Sequence, residues 1–319
     1  MKLRAFFILA AAAAALAACD RLSESQDPAV QARRDCENTH TEAAKRRDAC
    51  SAWMDGAELD SAQRALVHAH RGTAAQAAGD VSYALRDFDA ALDLQADNAE
   101  ALEGRGRILL ASGQLDAAEP MADRLIAGHH ALGAAYWIKG SIALQRSDYA
   151  TAIEHFNASI SADGRNASAF AGRARAKWRQ DDLPGALADY DAAIRIDDDL
   201  ADSHAGRCWV RVTQAGDDDK DNDGPMRADA EAAVRLAPEG LEGQLCLGLL
   251  QLRAHQWEPA RDTYDTALRL APGNPTALFG RGIARNRSGD RGGTRDMNQA
   301  RRFQSRIDAT FHSLGVNTY

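Results

Sequence analysis

The sequence predicts an all-α fold, an α-solenoid of about seven helix-turn-helix repeats. The first observation is a period: Gly72, Gly106 and Gly140 follow one another at intervals of 34 residues. The second is the pattern within one period, because residues 167–200 read as a helix, a turn and a second helix, neither apolar enough to be stable alone. The third is a set of small residues where the two helices would touch: Ala174, Ala186 and Ala193.

The repeats run from residue 65 to about residue 312, and residues 313–319 are expected to form a tail. The first six units are 65–98, 99–132, 133–166, 167–200, 201–240 and 241–274. The fifth unit is longer than the others by about six residues. The seventh begins at Pro275, and its second helix, from roughly residue 294 to residue 312, is long and polar, as expected of a terminal unit.

Three recurrent positions resemble the tetratricopeptide repeat family. The first helix carries a glycine: Gly72, Gly106, Gly140, Gly248 and Gly282. The second helix carries an early alanine: Ala84, Ala118, Ala152, Ala186 and Ala260. A proline ends two units: Pro238 and Pro272. Ala174 and Cys208 replace the glycine, and Met226 and Thr294 replace the alanine, without changing the period.

The resemblance implies a right-handed superhelix whose concave groove is lined by the first helices. It also implies a protein that binds partners rather than an enzyme. The sequence contains no Gly-x-Ser-x-Gly, Walker or His-Glu-x-x-His motif. His68 and His70 are two residues apart, so on a helix they point in different directions and cannot chelate one metal together. We therefore expect no catalytic residue and no cofactor.

The composition is that of a globular protein, with 319 residues, a net charge of −8 and a hydrophobic content of 45%. The acidic balance argues against wholesale binding to nucleic acid or to anionic lipid surfaces.

Residues 1–18 predict a targeting segment, because Lys2 and Arg4 precede an apolar run too short to span a bilayer permanently. Residues 16–19 read LAAC, which resembles the lipobox of bacterial lipoprotein signal peptides. The resemblance implies that Cys19 is lipidated and anchors the chain at the periplasmic side of a membrane, either inner or outer. The alternative is a plain secretory signal with a chance cysteine.

Residues 20–35 are polar and show no clear period, so residues 19–35 are expected to be the lipidated cysteine and a flexible tether. Residues 36–64 are expected to form N-terminal capping helices.

The other cysteines would lie in an oxidising compartment, where disulfides are permitted. One straight helix would separate Cys36 from Cys50 by roughly 21 Å, so a bridge requires the chain between them to turn back. We expect that bridge, because closing so short a loop still stabilises the fold by about 3 kcal/mol in the chain-entropy model. Cys208 and Cys246 occupy small-residue positions and are expected to be buried free thiols.

The extra residues of the fifth unit resemble the first half of a calcium loop. Asp219, Asp221 and Asp223 alternate before Gly224, but Ala230 stands where a bidentate Glu is required. A solvated acidic turn is the favoured interpretation, and calcium binding is the alternative.

An arginine recurs one residue before the small residue of the first helix: Arg71, Arg105, Arg173, Arg207 and Arg281. One interpretation is a clamp for acidic peptides. The favoured interpretation is an intramolecular ladder to carboxylates of the second helices, such as Asp87, Asp189 and Asp229.

By analogy with the family, a band of aromatic, aliphatic and arginine side chains faces the groove. The residues expected to bind a partner are Trp137, Arg175, Trp178, Arg179, Trp209 and Phe279. Such residues are frequent in binding hot spots, and they fit a peptide with apolar anchors and some acidic character. The alternative is that Trp137 and Trp178 pack between repeats.

These observations predict a membrane-anchored periplasmic lipoprotein that acts as a protein-binding scaffold. Two alternatives remain open: an accessory subunit of an envelope enzyme complex, and a calcium-modulated binding module. The junction of the fourth and fifth units is the expected functional centre.

Overall fold

The computed structural model describes residues 27–216 and 223–316, and all regular secondary structure in those residues is helical. The first helices along the chain are α1 (Pro28–Glu37), α2 (Ala43–Gly56), α3 (Ser61–Ala77), α4 (Val81–Leu94), α5 (Ala99–Ala111), α6 (Leu115–Ala127), α7 (Leu132–Gln145) and α8 (Tyr149–Ala162). They are followed by α9 (Ala167–Arg179), α10 (Leu183–Ile196), α11 (Ala201–Ala215), α12 (Gly224–Leu236), α13 (Leu241–Arg253), α14 (Trp257–Leu270), α15 (Pro275–Arg287), α16 (Gly293–Phe303) and α17 (Ile307–Ser313). This arrangement confirms the predicted α-solenoid of helical repeats.

From α3 to α16, odd-numbered helices are the first helices of the repeats and even-numbered helices are the second helices. The chain divides into two compact units, Met1–Ile142 and Ala143–Tyr319, which we call the N-terminal unit and the C-terminal unit. Within the described residues, no helix is both long enough and apolar enough to cross a membrane.

The helix boundaries are set by capping residues that recur with the repeat. An asparagine side chain accepts a backbone N–H at the start of several first helices: Asn98, Asn166 and Asn274. An aspartate does the same at the start of several second helices: Asp80, Asp148 and Asp182. The local sequence of each repeat therefore defines where its two helices begin.

Four repeats bury an aromatic ring of the second helix against glycines of the first helices. These rings are Phe88, Phe156, Tyr190 and Tyr264. A Cβ atom at either Gly248 or Gly280 would collide with the ring of Tyr264. The sequence pattern predicts one of the two glycine positions, the one that Gly248 occupies. The other position lies two residues earlier in the first helix and is explained only by these contacts: Gly104, Gly172, Gly206 and Gly280.

The fifth repeat fills the same space with a disulfide. Ala230 stands at the position of the ring, and Cys208 and Cys246 stand at the two glycine positions. The two cysteines are bonded, with their Cα atoms 6.6 Å apart. The expectation of free thiols is therefore wrong. With an alanine in place of the ring, the space between α11 and α13 is left to the two sulfur atoms.

The predicted Cys36–Cys50 disulfide is present and joins α1 to α2, with 4.7 Å between the Cα atoms. Arg46 is buried beside it, and its Nε donates a hydrogen bond of 2.8 Å to the carbonyl oxygen of Cys36. The chain therefore turns back between the two cysteines, as the bridge requires.

The predicted tether is shorter than expected, because α1 already begins at Pro28, capped by Asp27. Ala32 and Cys36, one helical turn apart, are both buried and dock α1 on the rest of the chain. The sequence alone did not reveal this helix, because α1 is too short to show a clear helical period of apolar residues. The predicted lipidation site Cys19 and the predicted targeting segment lie outside the described residues.

The C-terminal end also differs from the expectation of one long helix. Helix α16 ends at Phe303, because Gln304 has an extended backbone, and α17 follows after a short turn. Val316 is buried, so the residues directly after α17 are packed rather than a free tail.

Candidate functional site

Four of the five recurrent arginines pair with carboxylates of their own second helices. Arg173 donates through Nε and Nη2 to the two carboxylate oxygens of Asp189, at 2.8 and 2.6 Å. The same two-point contact joins Arg71 to Asp87, Arg207 to Asp229, and Arg281 to Asp296. The four aspartates are buried. The intramolecular ladder is confirmed, so these arginines are occupied within the repeats rather than open to acidic peptides.

The ladder also joins neighbouring repeats. Arg207 reaches back to Asp191 on the second helix of the preceding repeat, through a 2.7 Å hydrogen bond. Equivalent contacts across 16 residues are Arg105 with Asp89, Lys139 with Asp123, and Arg281 with Asp265. Each cation therefore bridges two repeats, a role that the pairing within single repeats does not predict.

His68 and His70 contact different carboxylates, in agreement with the prediction that they cannot chelate together. The Nδ1 atom of His68 lies 2.8 Å from Asp87, and that of His70 lies 2.7 Å from Glu100. Burial raises the pKa of Asp87, but hydrogen bonds from His68 and Arg71 outweigh this effect, and the pKa falls below its usual value. These groups form a structural network.

In the N-terminal unit, Trp137 is half-buried and packs against the apolar cluster around Leu102 and Leu109. The guanidinium carbon of Arg107 lies 4.6 Å from its ring centroid. Trp137 thus serves packing between repeats and keeps part of its surface accessible.

In the C-terminal unit, α9 presents what we call the α9 patch: Arg175, Trp178 and Arg179. Both arginines are exposed, and the half-buried Trp178 packs against two apolar clusters. The guanidinium carbon of Arg179 lies 5.4 Å from the Trp178 ring centroid. Burial raises the pKa of Tyr190 to about 12, and the neighbouring Arg175 partly offsets that rise.

Two residues predicted to bind a partner are instead covered. Trp209 is 8% exposed, and its Nε1 donates a 3.2 Å hydrogen bond to the carbonyl oxygen of Glu242. Phe279 has no exposed surface, and its ring centroid lies 4.9 Å from that of Phe311. Neither side chain offers a partner a free surface, because contacts from distant parts of the sequence cover both.

The residues that cover Phe279 belong to the end of the chain. We call residues 307–316 the C-terminal segment. Ile307, Phe311 and Val316 are buried in the same apolar cluster as Phe279 and other residues of α13 and α15.

Arg253, the last residue of α13, holds the end of this segment. Its Nη1 donates to the carbonyl oxygen of Leu314 at 3.1 Å and to that of Gly216, directly after α11, at 2.9 Å. The C-terminal segment therefore crosses the first helices from α15 to the ends of α13 and α11.

The suggested calcium ligands Asp219 and Asp221 lie outside the described residues, so the alternative of calcium binding is not tested there. The third, Asp223, is engaged by Arg253, with Nη2–Oδ1 and Nε–Oδ2 distances of 3.0 and 3.1 Å. That ion pair favours the interpretation of a structural acidic turn.

The described residues form stacked helix pairs that are joined by an internal ion-pair ladder, and α9 exposes a cationic and aromatic patch. This arrangement is typical of helical-repeat proteins that present binding surfaces to other proteins. The chain belongs to the tetratricopeptide repeat family, whose sequence profile matches residues 70–136, 104–167, 139–201, 227–275 and 245–290.

Among curated proteins, the human mitochondrial import receptor subunit TOM70 is 28% identical over 191 residues, which is 58% of this chain and 31% of that protein. The rat protein of the same name is 28% identical over 192 residues. The chain thus spans less than a third of the length of these relatives.

Two solved structures share the fold. The Cut9–Hcn1 hetero-tetramer of the APC/C matches with a TM-score of 0.62 and 13% identity, over 86% of this chain and 59% of that chain. Yeast Tom70 matches with a TM-score of 0.51 and 13% identity, over 89% of this chain and 65% of that chain. At such identities the similarity concerns the fold.

Proposed function

We propose that this protein is a scaffold or adaptor of a bacterial cell envelope, held at a membrane by a lipid on Cys19 and facing the periplasm. The tetratricopeptide repeat fold supports binding to other proteins, and the LAAC sequence supports the anchor. The two disulfides are typical of an oxidising compartment such as the periplasm. In this proposal the chain performs no chemistry of its own.

The α9 patch is the observation that carries the binding proposal. On the same helix, Arg173 and Lys177 both contact the carboxylate of Asp189, whereas the exposed Arg175 and Arg179 make no ion pair within the described residues. Trp and Arg side chains dominate binding hot spots because they combine a large contact area with directed hydrogen bonds. We propose a peptide partner with an apolar anchor for Trp178 and carboxylates for the two arginines.

Photo-crosslinking in cells tests this site. A photoreactive amino acid replaces Arg179 in the full chain, and the matched control carries it at the exposed Arg195 of the second helix α10. The expected result is an adduct of defined mass from position 179 that disappears when Trp178→Ala is added. Equal adducts from both positions would place binding elsewhere.

The anchor is tested separately by Cys19→Ala. The substitution removes the atom that would carry the lipid, so the protein is expected to move from the membrane fraction to the soluble periplasmic fraction. Persistence in the membrane fraction at the wild-type level would contradict lipid anchoring.

A further inference from the structure

The C-terminal segment occupies a surface that corresponds to the α9 patch. Leu249, Leu252 and Arg253 of α13 each lie 74 residues after Arg175, Trp178 and Arg179, at the same positions of the repeat. On α9 these positions are exposed or half-buried, but on α13 they are 0, 1 and 5% exposed. The difference has a visible cause, because the C-terminal segment joins the cluster that buries the α13 residues.

The way the segment is held is that of a bound peptide. One aromatic anchor, Phe311, packs against Phe279 of α15. One cation, Arg253, contacts the segment through a main-chain carbonyl oxygen, that of Leu314. Contacts of this kind depend on an apolar anchor and on the backbone, so a peptide of different sequence can reproduce them.

The segment has little helical stability of its own. Helix α17 has seven residues, fewer than an isolated helix needs for stability, and it is the last helix of the described residues. Its N-terminal turn is held by the partly exposed ion pair between Arg301 and Asp308. Short elements of this kind open at a lower free energy than the repeats that they cover.

We propose that the surface formed by α13 and α15 is a second peptide-binding site, that the C-terminal segment occupies it as an intramolecular ligand, and that a partner peptide with an aromatic anchor displaces it. The claim that a partner displaces the segment rests on the proposed scaffold function. The claim that the C-terminal segment occupies the site does not. Arg253 binds the main chain of either ligand.

Tethering explains why the site is closed in the isolated chain. A segment attached through a short turn has an effective concentration in the millimolar range. If its affinity as a free peptide corresponds to a Kd of about 10 µM, the site is open for about 1% of the time. A partner then binds about a hundredfold more weakly to the closed chain than to the opened chain.

A peptide-binding assay with the purified full chain tests the proposal. The probe is a fluorescent synthetic peptide with the sequence of residues 305–319. The unmodified chain is expected to bind it weakly, and the full chain with Phe311→Ala is expected to bind it at least tenfold more tightly, because its own anchor is lost. A probe that carries the same Phe311→Ala change is expected not to bind. Equal affinity of the probe for both chains would overturn the proposal.

The role of Arg253 is tested in the opened chain. Arg253→Gln added to Phe311→Ala is expected to abolish the gain in affinity, whereas Arg195→Gln, at an exposed position of α10, leaves it unchanged. Loss of binding in both would refute the assignment to α13.

Hydrogen exchange tests the proposal on the unmodified chain, without any substitution. Residues 307–316 are expected to exchange faster than α13, through opening of the segment alone. Hydrogen exchange of the segment at the rate of α13 would overturn the proposal. So would a stable dimer in which each copy places its C-terminal segment on the other. Because these assays use purified protein and its own peptide, their outcome is independent of the crosslinking result at Arg179.

Discussion

Arg173 and Asp189 lie 16 residues apart in the sequence and meet through two parallel hydrogen bonds between the two helices of one repeat. Asp189 also accepts a contact of 2.8 Å from Nζ of Lys177 and is only 5% exposed. Its charge is therefore balanced by two side chains of α9 rather than by water. This arrangement suggests that the aspartate is essential to the pairing of α9 with α10.

Replacing this aspartate tests the strength of the ladder. Asp189→Ala leaves Arg173 and Lys177 without their common anion in a largely buried position, so we expect a loss of about 3 kcal/mol in the free energy of unfolding. Urea denaturation followed by circular dichroism measures it. The matched control is Asp262→Ala, whose carboxylate is 68% exposed and pairs with Arg261. The control should leave the urea midpoint unchanged, and equal shifts in both variants would contradict a buried ladder.

The disulfide of the fifth repeat should be replaceable by an aromatic ring. Cys208→Gly with Cys246→Gly removes a bridge across 38 residues, and we expect a loss of about 4 kcal/mol in the chain-entropy model. Adding Ala230→Phe restores the arrangement of a ring between two glycines. This third change should reverse part of the decrease in melting temperature. If the added Phe lowers the melting temperature further, the disulfide and the ring do not occupy equivalent space.

Replacing Ser147 with glycine should increase the stability of the folded chain. Its φ is +62°, in the left-handed region, at a position of the repeat where Gly113 has a φ of +73°. Ser147→Gly relieves strain that exceeds the added entropy of the unfolded chain, so we expect a gain of about 0.5–1 kcal/mol. The reverse change, Gly113→Ala, should cost about 1 kcal/mol. Thermal unfolding measures both, and shifts of the same sign would contradict the strain argument.

The stability of the N-terminal unit should depend on pH through Asp87. Its pKa in the folded chain lies below the ordinary value of 3.8, so the ionised carboxylate stabilises the fold above that value. The contribution is lost as the pH falls through the folded pKa. We expect the free energy of unfolding to fall more steeply below about pH 5 in the wild type than in Asp87→Asn. Urea unfolding at several pH values measures the difference, and parallel curves would show that Asp87 does not contribute.

The sequence was sufficient for the repeat, for the ladder contacts within four of the repeats and for the Cys36–Cys50 disulfide. Each depends on residues close in sequence, for which helical geometry places partners such as Arg71 and Asp87 on facing sides. The second glycine position is harder to find, because it depends on a ring from the preceding repeat, as Gly104 does on Phe88. Of the candidate binding residues, Arg175 and Arg179 are exposed, but the burial of Phe279 could not be predicted from its own repeat.

What the sequence by itself determined is the class of fold and the unit from which it is built, because a period of small residues and capping residues acts within one helix pair. Only the tertiary structure decided that Cys208 bonds to Cys246, that Arg207 bridges two repeats, and that Arg253 holds the chain's own end. The physical reason is that these contacts join residues of different repeats. Their distances depend on how successive helices pack, and the local pattern of one repeat does not contain that information.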